Sequence, residues 1–103
     1  MSQTGVTHRD AVASGSQSGA QTSTTALVAN SAREYFQIQN QSTAALFIYF
    51  GASASTSVYH FILKGSTGAA DGTGGSYSSG GAVYRGVVSV AASGTPSYSV
   101  VEL

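Results

Sequence analysis

REYFQIQNQSTAALFIYFG, residues 33–51, is the part of the sequence with the clearest structural pattern. Residues 35–40 mix aromatic, β-branched and polar side chains, as a half-buried strand does, and residues 45–50 form an apolar run that is too short for an ordinary helix. Between them, residues 40–43 (Asn-Gln-Ser-Thr) have side chains that favour turns. The stretch therefore predicts a β-hairpin, closed by Gly51.

The rest of the sequence predicts further short strands and no helix. Residues 64–75 contain five glycines and are expected to form a loop with little packing of its own. About seven short strands without helical periodicity indicate an all-β domain over residues 22–103, a small antiparallel β-sandwich or barrel of jelly-roll-like type. The predicted strands outside the hairpin are residues 22–30, 58–63, 77–79, 82–84, 86–92 and 98–103.

Residues 1–21 differ from the rest of the chain in composition. They are dominated by Ser, Gly, Gln, Thr and Ala without apolar periodicity, which predicts an extended N-terminal arm. Such a segment has too little apolar surface to order itself, so we expect it to become ordered only against a neighbouring subunit. We also expect the domain to fold without the arm, because the predicted core begins at about Leu27.

Charged residues are rare, and this limits the possible partners. They make up 8% of the 103 residues, the net charge is zero, and the four Lys and Arg residues are scattered. Nucleic-acid binding needs clustered basic side chains, so no nucleic-acid partner is expected. No apolar run reaches the roughly 18 residues of a membrane-spanning helix, so no membrane partner is expected either. A nearly uncharged surface gives little repulsion between copies, which favours assembly.

No set of residues has the pattern of a catalytic, cofactor or metal site. The sequence has no Cys, and its two His and four acidic residues are spread apart, which disfavours a metal site. His8-Arg9-Asp10 lacks the other motifs of a kinase, and the glycines of residues 72–75 lack the Lys and the helix of a phosphate-binding loop. His60 lies between aromatic residues with no acid nearby in sequence, which favours a packed side chain. An enzyme is therefore not expected, and no cofactor is implied.

The two central strands are apolar on both faces. Leu46, Ile48 and Phe50 would lie on one face of their strand and Phe47 and Tyr49 on the other, and residues 58–63 repeat the pattern. A domain of this size has one core, so the second face must be covered by the arm, by a loop or by another subunit, and we favour the subunit. The predicted interface residues are Phe47, Tyr49, Tyr59, Phe61 and Tyr84.

A longer pattern of short motifs extends over roughly residues 25–103. Its first half consists of Arg33, Phe36, Ile38-Gln39-Asn40, Ser42, Ile48 and Phe50-Gly51. Its second half consists of Leu63-Lys64-Gly65, Gly81-Ala82-Val83, Val88-Ser89-Val90 and residues 98–102. This order resembles small virion structural proteins of tailed bacteriophages, in which an Arg-led strand ending in Ile-Gln-Asn is followed by a strand ending in Phe-Gly.

The resemblance implies a structural role in the virion. It predicts a capsid decoration or cement protein, made in the host cytoplasm, that binds the outer shell and stabilises it. The implied partners are further copies of the chain, as a homotrimer, and the major capsid protein or another virion protein. A small tail or fibre-attachment protein is the alternative, and the fold class and the tyrosines also leave open a carbohydrate-binding β-sandwich module. Arg33 is expected to pair with a carboxylate or to cap main-chain carbonyls, the alternative being an exposed surface arginine.

Overall fold

The computed structural model describes residues 23–80, 82–93 and 97–103, together with the backbone of residues 15 and 16. All regular secondary structure in these residues is β. The strands found there are β1 (Gly15–Ser16), β2 (Thr24–Leu27), β3 (Phe36–Asn40), β4 (Leu46–Phe50), β5 (Phe61–Leu63), β6 (Ser76–Ser78), β7 (Val88–Ala92) and β8 (Ser97–Glu102).

The strands form two four-stranded sheets whose order defines a jelly roll. One sheet has the order β1-β8-β3-β6 and the other β2-β7-β4-β5, and all neighbouring strands are antiparallel. Apart from β4 and β5, consecutive strands lie in opposite sheets, which is the connectivity of a double-sheet jelly roll. No strand pairing joins the two sheets within the described residues, so the domain is a sandwich and not a closed barrel. The predicted all-β, jelly-roll-like fold is confirmed.

The predicted hairpin within residues 33–51 is wrong. β3 pairs with β6 and β8, whereas β4 pairs with β5 and β7, so the two strands lie in opposite sheets. Residues 41–45 therefore carry the chain across the sandwich instead of turning it back within one sheet. The alternation of apolar residues could not distinguish a hairpin within one sheet from a crossing between the two sheets. Ile38 and Ile48 are buried in the structure, and a hairpin would bury them as well.

The core lies between the sheets and follows from alternation along the strands. In β3, Phe36 and Ile38 are fully buried while Gln37 is exposed, and β7 is buried along its whole length. Full burial of a large apolar side chain contributes about 1.5–3 kcal/mol. The buried apolar cluster consists of Ala26, Leu27, Phe36, Ile38, Leu46, Ile48, Leu63, Val88, Val90, Ala92, Tyr98 and Val100.

Aromatic rings pack against one side of this core, around Phe50. The ring of Phe50 stacks on that of Tyr84, with centroids 4.8 Å apart and planes 8° apart. It meets the rings of Phe36, Phe61 and Tyr77 edge to face at 5.7–6.0 Å. Such ring pairs add about 0.5–1.5 kcal/mol each beyond the area that they bury.

Several of the predicted strands are shorter than expected or absent, and β2 and β7 each occupy only part of the predicted residues 22–30 and 86–92. Residues 58–60 precede β5 instead of belonging to it, because the Ser55 hydroxyl accepts hydrogen bonds from the N–H groups of Ser57 and Val58 and holds a turn. Residues 82–84 form no strand, and the carbonyl of Tyr84 instead accepts a hydrogen bond from Arg33. Residues 76–78 do form β6, one residue before the predicted position.

The first strand of the jelly roll lies within the predicted arm. Gly15 pairs with Tyr98 and Ser16 pairs with Ser97. The other residues of the predicted arm, 1–14 and 17–21, lie outside the described residues. The domain boundary near residue 22 stays a prediction, and deletion of residues 1–21 would remove β1 together with the arm.

The loop before β6 packs closely against the end of β3. The N–H of Asn40 donates to the carbonyl of Gly75 at 2.9 Å, which places the neighbouring Gly74 directly on the β3 backbone. A Cβ atom at Gly74 would overlap the carbonyl oxygen of Asn40, so only glycine permits this approach. A Cβ atom at Gly80, by contrast, would meet nothing within 4 Å.

Gly74→Ala is expected to lower the free energy of unfolding by about 1–3 kcal/mol, because the added methyl group forces the loop away from β3. Urea unfolding followed by circular dichroism measures the change. Gly80→Ala is the matched control and should change the stability by no more than about 0.5 kcal/mol. Equal unfolding midpoints for the two variants would contradict the close packing.

Candidate interaction surface

The outer face of the β1-β8-β3-β6 sheet is polar. Phe36, Ile38 and Val100 point into the core, so the residues between them in the register point outward. Glutamine and serine dominate this outward set, and their amides and hydroxyls can bond to water. Its members are Gln37, Gln39, Ser76, Ser78, Ser99 and Val101.

The outer face of the β2-β7-β4-β5 sheet is apolar near β4 and β5. Phe47 and Tyr49 point outward from β4, since Leu46 and Ile48 are buried in the core. Ile62 of β5 lies opposite Phe47 and points the same way. These residues, with Val58 and Tyr59 from the turn before β5, are called here the outer apolar face: Phe47, Tyr49, Val58, Tyr59 and Ile62.

Two ring contacts hold the aromatic residues of the outer apolar face in place. Phe47 meets Tyr59 edge to face, with centroids 5.1 Å apart and planes at 64°. Tyr49 stacks on His60, with centroids 4.8 Å apart and planes 14° apart. Because each pair is stabilised by about 0.5–1.5 kcal/mol, the rings lose little freedom when a partner covers them.

The outer apolar face leaves large side chains open to solvent. Val58 is 45% exposed, Tyr59 41% and Ile62 46%. Single exposed apolar residues are ordinary, but three of them beside two half-buried rings form a patch of the kind that marks an interaction site.

A loop covers another part of the same sheet. The N–H of Ala54 donates to the hydroxyl of Ser89 at 3.0 Å, and this hydroxyl donates to the carbonyl of Gly51 at 2.7 Å. Ala54 and Ser89 are both buried as a result. Of the three covers considered from the sequence, a loop is present over β7 at Ser89, whereas the area around Tyr59 and Ile62 has no such cover from the described residues.

The structure separates the predicted interface residues into two groups. Phe47, Tyr49 and Tyr59 belong to the outer apolar face. Phe61 and Tyr84 pack inward on Phe50 instead, at the side of the core. Sequence reasoning missed Val58 and Ile62, because alternation along residues 58–63 as one strand would place both on the face opposite Tyr59.

His60 has an internal bonding role. Its Nδ1 atom accepts a hydrogen bond from the N–H of Phe50 at 3.0 Å, and its ring lies on that of Tyr49. An accepting Nδ1 carries no proton, so the imidazole is the Nε2–H tautomer in this arrangement. The side chain thus links the turn before β5 to the end of β4.

Arg33 is the most deeply buried charged residue of the described chain. Its side chain is 0% exposed, and its Nε donates to Glu102 Oε2 at 2.8 Å. Nη1 donates to the carbonyls of Tyr84 (2.7 Å) and Gly86 (3.1 Å), and Nη2 donates to the carbonyl of Val28 (2.6 Å). The prediction that Arg33 pairs with a carboxylate and caps carbonyls is confirmed, and the alternative of an exposed arginine is wrong.

Asn40 has a comparable role at the other end of β3. Its Nδ2 donates to the carbonyls of Ala44 (2.8 Å), Leu63 (3.1 Å) and Lys64 (3.1 Å), and its Oδ1 accepts from the N–H and the hydroxyl of Ser42, both at 2.9 Å. The sequence indicated only a turn residue here. Nothing in the local pattern shows that the amide is buried among carbonyls of the crossing segment and of the end of β5.

The glycine-rich loop is organised by one carboxylate. Asp71 accepts hydrogen bonds from the hydroxyl and N–H of Thr73, from the hydroxyl of Thr67 and from the N–H of Gly68, at 2.6–3.0 Å. The bonds from Thr73 are the largest cause of a pKa for Asp71 of about 2, against an ordinary value of 3.8. Asp followed by Gly is a pattern that favours turns, so Asp71-Gly72 is a local signal for this loop in the sequence.

Neither a cluster of metal-binding side chains nor a pocket is found in the part of the chain that the structure describes. It holds no group of three or more His, Cys, Asp or Glu side chains that could bind a metal ion, and no pocket. Within the same residues, no helix is long and apolar enough to cross a membrane.

Comparison with known proteins gives no match: no family model fits the sequence, and neither a similar characterised protein nor a similar solved structure is found. The function therefore has to be argued from the surface itself and from the sequence pattern.

Arg33→Ala is expected to destabilise the domain by about 3–5 kcal/mol, because it leaves the half-buried Glu102 carboxylate and three carbonyls without their donor. Urea unfolding measures the loss. Lys64→Ala, at an exposed position, is the control and should stay within about 0.5 kcal/mol of the parent protein. An unchanged melting temperature for Arg33→Ala would show that these bonds contribute nothing to stability.

Acid should open the glycine-rich loop only at very low pH. A carboxyl group whose folded pKa is lowered stabilises the fold fully above its unfolded pKa and loses this contribution as pH falls through the folded value. For Asp71 this window runs from about pH 4 down to about pH 2. An NMR titration of the Asp71 carboxyl carbon and of the Gly68 and Thr73 amides measures it, and a shared midpoint near pH 4 would contradict the bonding described.

Proposed function

We propose that this protein is a structural component of a bacteriophage virion, a capsid decoration or cement protein that binds the outside of the shell and stabilises it. The observation that carries the proposal is the contrast between the two outer faces, one with exposed Tyr59 and Ile62 and the other with glutamine and serine. Such a domain suits a protein that lies on a partner with one face and meets water with the other. The phage assignment itself rests on the sequence resemblance over residues 25–103.

The residues that carry the resemblance support this assignment. Arg33 and Asn40 bond the two sheets together, Ser42 completes the Asn40 network, and Phe36 and Ile48 fill the core. A pattern composed of fold-determining residues is what a shared fold would require. Jelly rolls also occur among viral capsid domains, although a fold by itself is weak support for a function.

The outer apolar face suits protein partners, with self-association into a homotrimer as the first proposed contact. Its exposed side chains supply roughly a few hundred Å² at most, less than the about 800 Å² per partner of a standard interface. The face would therefore form the apolar centre of a contact with a polar rim around it. A chain with zero net charge meets little long-range repulsion from its own copies. The remaining contacts would be made with the major capsid protein or another virion protein.

A tail or fibre-attachment protein remains the alternative within the virion, because the same face would serve there. Copy number and position separate the two roles. A decoration protein would be present in many copies spread over the shell, whereas a tail component would be present in a few copies at one vertex. In both roles the protein would be made in the host cytoplasm and reside in the virion.

The exposed ring of Tyr59 is the observation that favours the third candidate, a carbohydrate-binding module. A sugar site needs hydrogen-bonding groups beside the stacking ring. The neighbouring polar groups have internal partners: the Ser57 hydroxyl lies 3.2 Å from that of Ser55, and Nδ1 of His60 accepts from Phe50. The apolar surroundings of Tyr59 therefore favour a protein partner over a sugar.

Ile62→Ser is expected to weaken self-association about tenfold or more, because it removes an apolar side chain from the centre of the proposed contact. Sedimentation velocity over a range of concentrations measures this. When shells that lack the protein are incubated with each chain and heated, the parent chain should raise the temperature at which the shells open, and Ile62→Ser should protect them less.

Gln37→Ser is the matched control, since it changes an exposed residue of the polar outer face. It should associate and protect the shells as the parent chain does. A parent chain that stays monomeric at high concentration would rule out self-association through this face, and shells that open at the same temperature with and without it would rule out the decoration role.

A further inference from the structure

His60 lies at the border of the outer apolar face. Its imidazole stacks on Tyr49, with ring centroids 4.8 Å apart, and is tilted against the ring of Phe50 at 5.6 Å. The residue is exposed, so protons from the solution reach the ring without any opening of the core. His60 is therefore a titratable group in direct contact with a residue of the outer apolar face.

The imidazole takes the place of a main-chain acceptor at the end of the ladder between β4 and β5. This pairing ends at Ile48 and Phe61, and the carbonyl of Ile48 accepts from the N–H of His60 at 2.7 Å. Every second residue of a strand points its main-chain groups to the same edge, so the N–H of Phe50 points to this edge as well. It donates to Nδ1 of His60 at 3.0 Å.

The bond from Phe50 requires that Nδ1 carries no proton. A protonated imidazole has a proton on both ring nitrogens and is a donor at each of them. The Nδ1–H group and the N–H of Phe50 would then be two donors that face each other, so the ring has to turn away. The N–H of Phe50 loses this acceptor whether or not the turned ring stays on Tyr49.

The surroundings of His60 contain aromatic rings and no ionic partner. Among the described residues, no ion pair includes His60. The titratable side chains beside it are Tyr49 of β4, which stacks on the imidazole, and Tyr59, which precedes it in the turn before β5. Histidine is the side chain that ordinarily changes its charge between about pH 5 and pH 8.

We propose that His60 is a pH-sensitive switch in the outer apolar face. At neutral pH the uncharged ring bonds to Phe50 and packs on Tyr49. In weak acid the protonated ring turns away from Phe50 and places a positive charge beside the apolar side chains. This change takes place within one molecule and does not depend on what the protein binds.

The effect of the switch on self-association rests on the proposed function. Copies that meet through the outer apolar face would each bring a charged imidazole to the edge of the contact. A charge that loses water without gaining a partner opposes binding, and like charges on the copies repel each other. Self-association should therefore be about tenfold or more weaker at about pH 5 than at about pH 8.

An NMR titration of the full parent chain from about pH 8 to about pH 5 tests the switch. The nitrogen shifts of the His60 ring should show Nδ1 without a proton at the start, and the Phe50 amide should respond with the same midpoint as the ring. Hydrogen exchange at Phe50, relative to an unstructured amide at the same pH, should be about fivefold or more faster at the acid end. A proton on Nδ1 at the start, or a Phe50 amide that is unchanged while the ring titrates, would overturn the proposal.

His60→Asn separates the acceptor from the charge, because the side-chain oxygen of Asn accepts a hydrogen bond and does not titrate. Its Phe50 amide and its sedimentation should be the same at both ends of the pH range. His8→Asn removes the other histidine of the chain, and this control should keep the pH response of the parent. A response that persists in His60→Asn would overturn the switch. A parent chain that is monomeric at both ends would contradict the proposed self-association, whereas the NMR titration decides the switch by itself.

Discussion

The burial of one guanidinium group is the constraint on which this sandwich depends. Arg33 is removed from water, and its charge is balanced by Glu102 at the end of β8 and by carbonyls that follow β2 and precede β7. A buried ion costs several kcal/mol unless all of its partners are in place, so these segments have to assemble around it together. Because β2 and β8 belong to opposite sheets, the same contacts join the two layers at this end.

The neutral side-chain amide of Asn40 joins the two sheets at the opposite end of β3. Asn40 bonds to carbonyls of Leu63 and Lys64, which belong to the other sheet and to the loop after it. The apolar side chains between Arg33 and Asn40 would tolerate several strand pairings, because they need only to be buried. Arg33 and Asn40 are less permissive, because each has a fixed number of donors that must meet particular carbonyls. Arg33 and Asn40 thus select one arrangement of the two sheets, and the apolar side chains between them fill the core of that arrangement.

The contrast between apolar core residues and buried polar residues explains which features of the fold could be predicted from the sequence. Most strand positions followed from alternation, and the doubly apolar β4 predicted an apolar outer face, on which Phe47 and Tyr49 lie. The partner of β3 did not follow, because a hairpin and a crossing between sheets bury the same apolar residues, whereas the amide contacts of Asn40 with Leu63 and Lys64 belong to the crossing. The turn at Ser55 precedes β5 and is held by main-chain bonds between Ser55 and Val58 together with the Ser55 hydroxyl, and nothing local marks this serine among the many in the sequence. Phe61 and Tyr84 proved to face Phe50 because their direction depends on the register between strands, which local composition does not encode.

When the outer apolar face binds an object, the polar outer face of the β1-β8-β3-β6 sheet becomes the new surface of that object. An object coated by this domain would present a surface of amides and hydroxyls, to which Gln37, Gln39 and Ser78 contribute. Such a coat would be hydrated but almost without charge, and its attraction to ions, polyelectrolytes or charged cell surfaces would be weak. Since screening by salt acts on charges, the colloidal behaviour of the coated object would depend little on ionic strength.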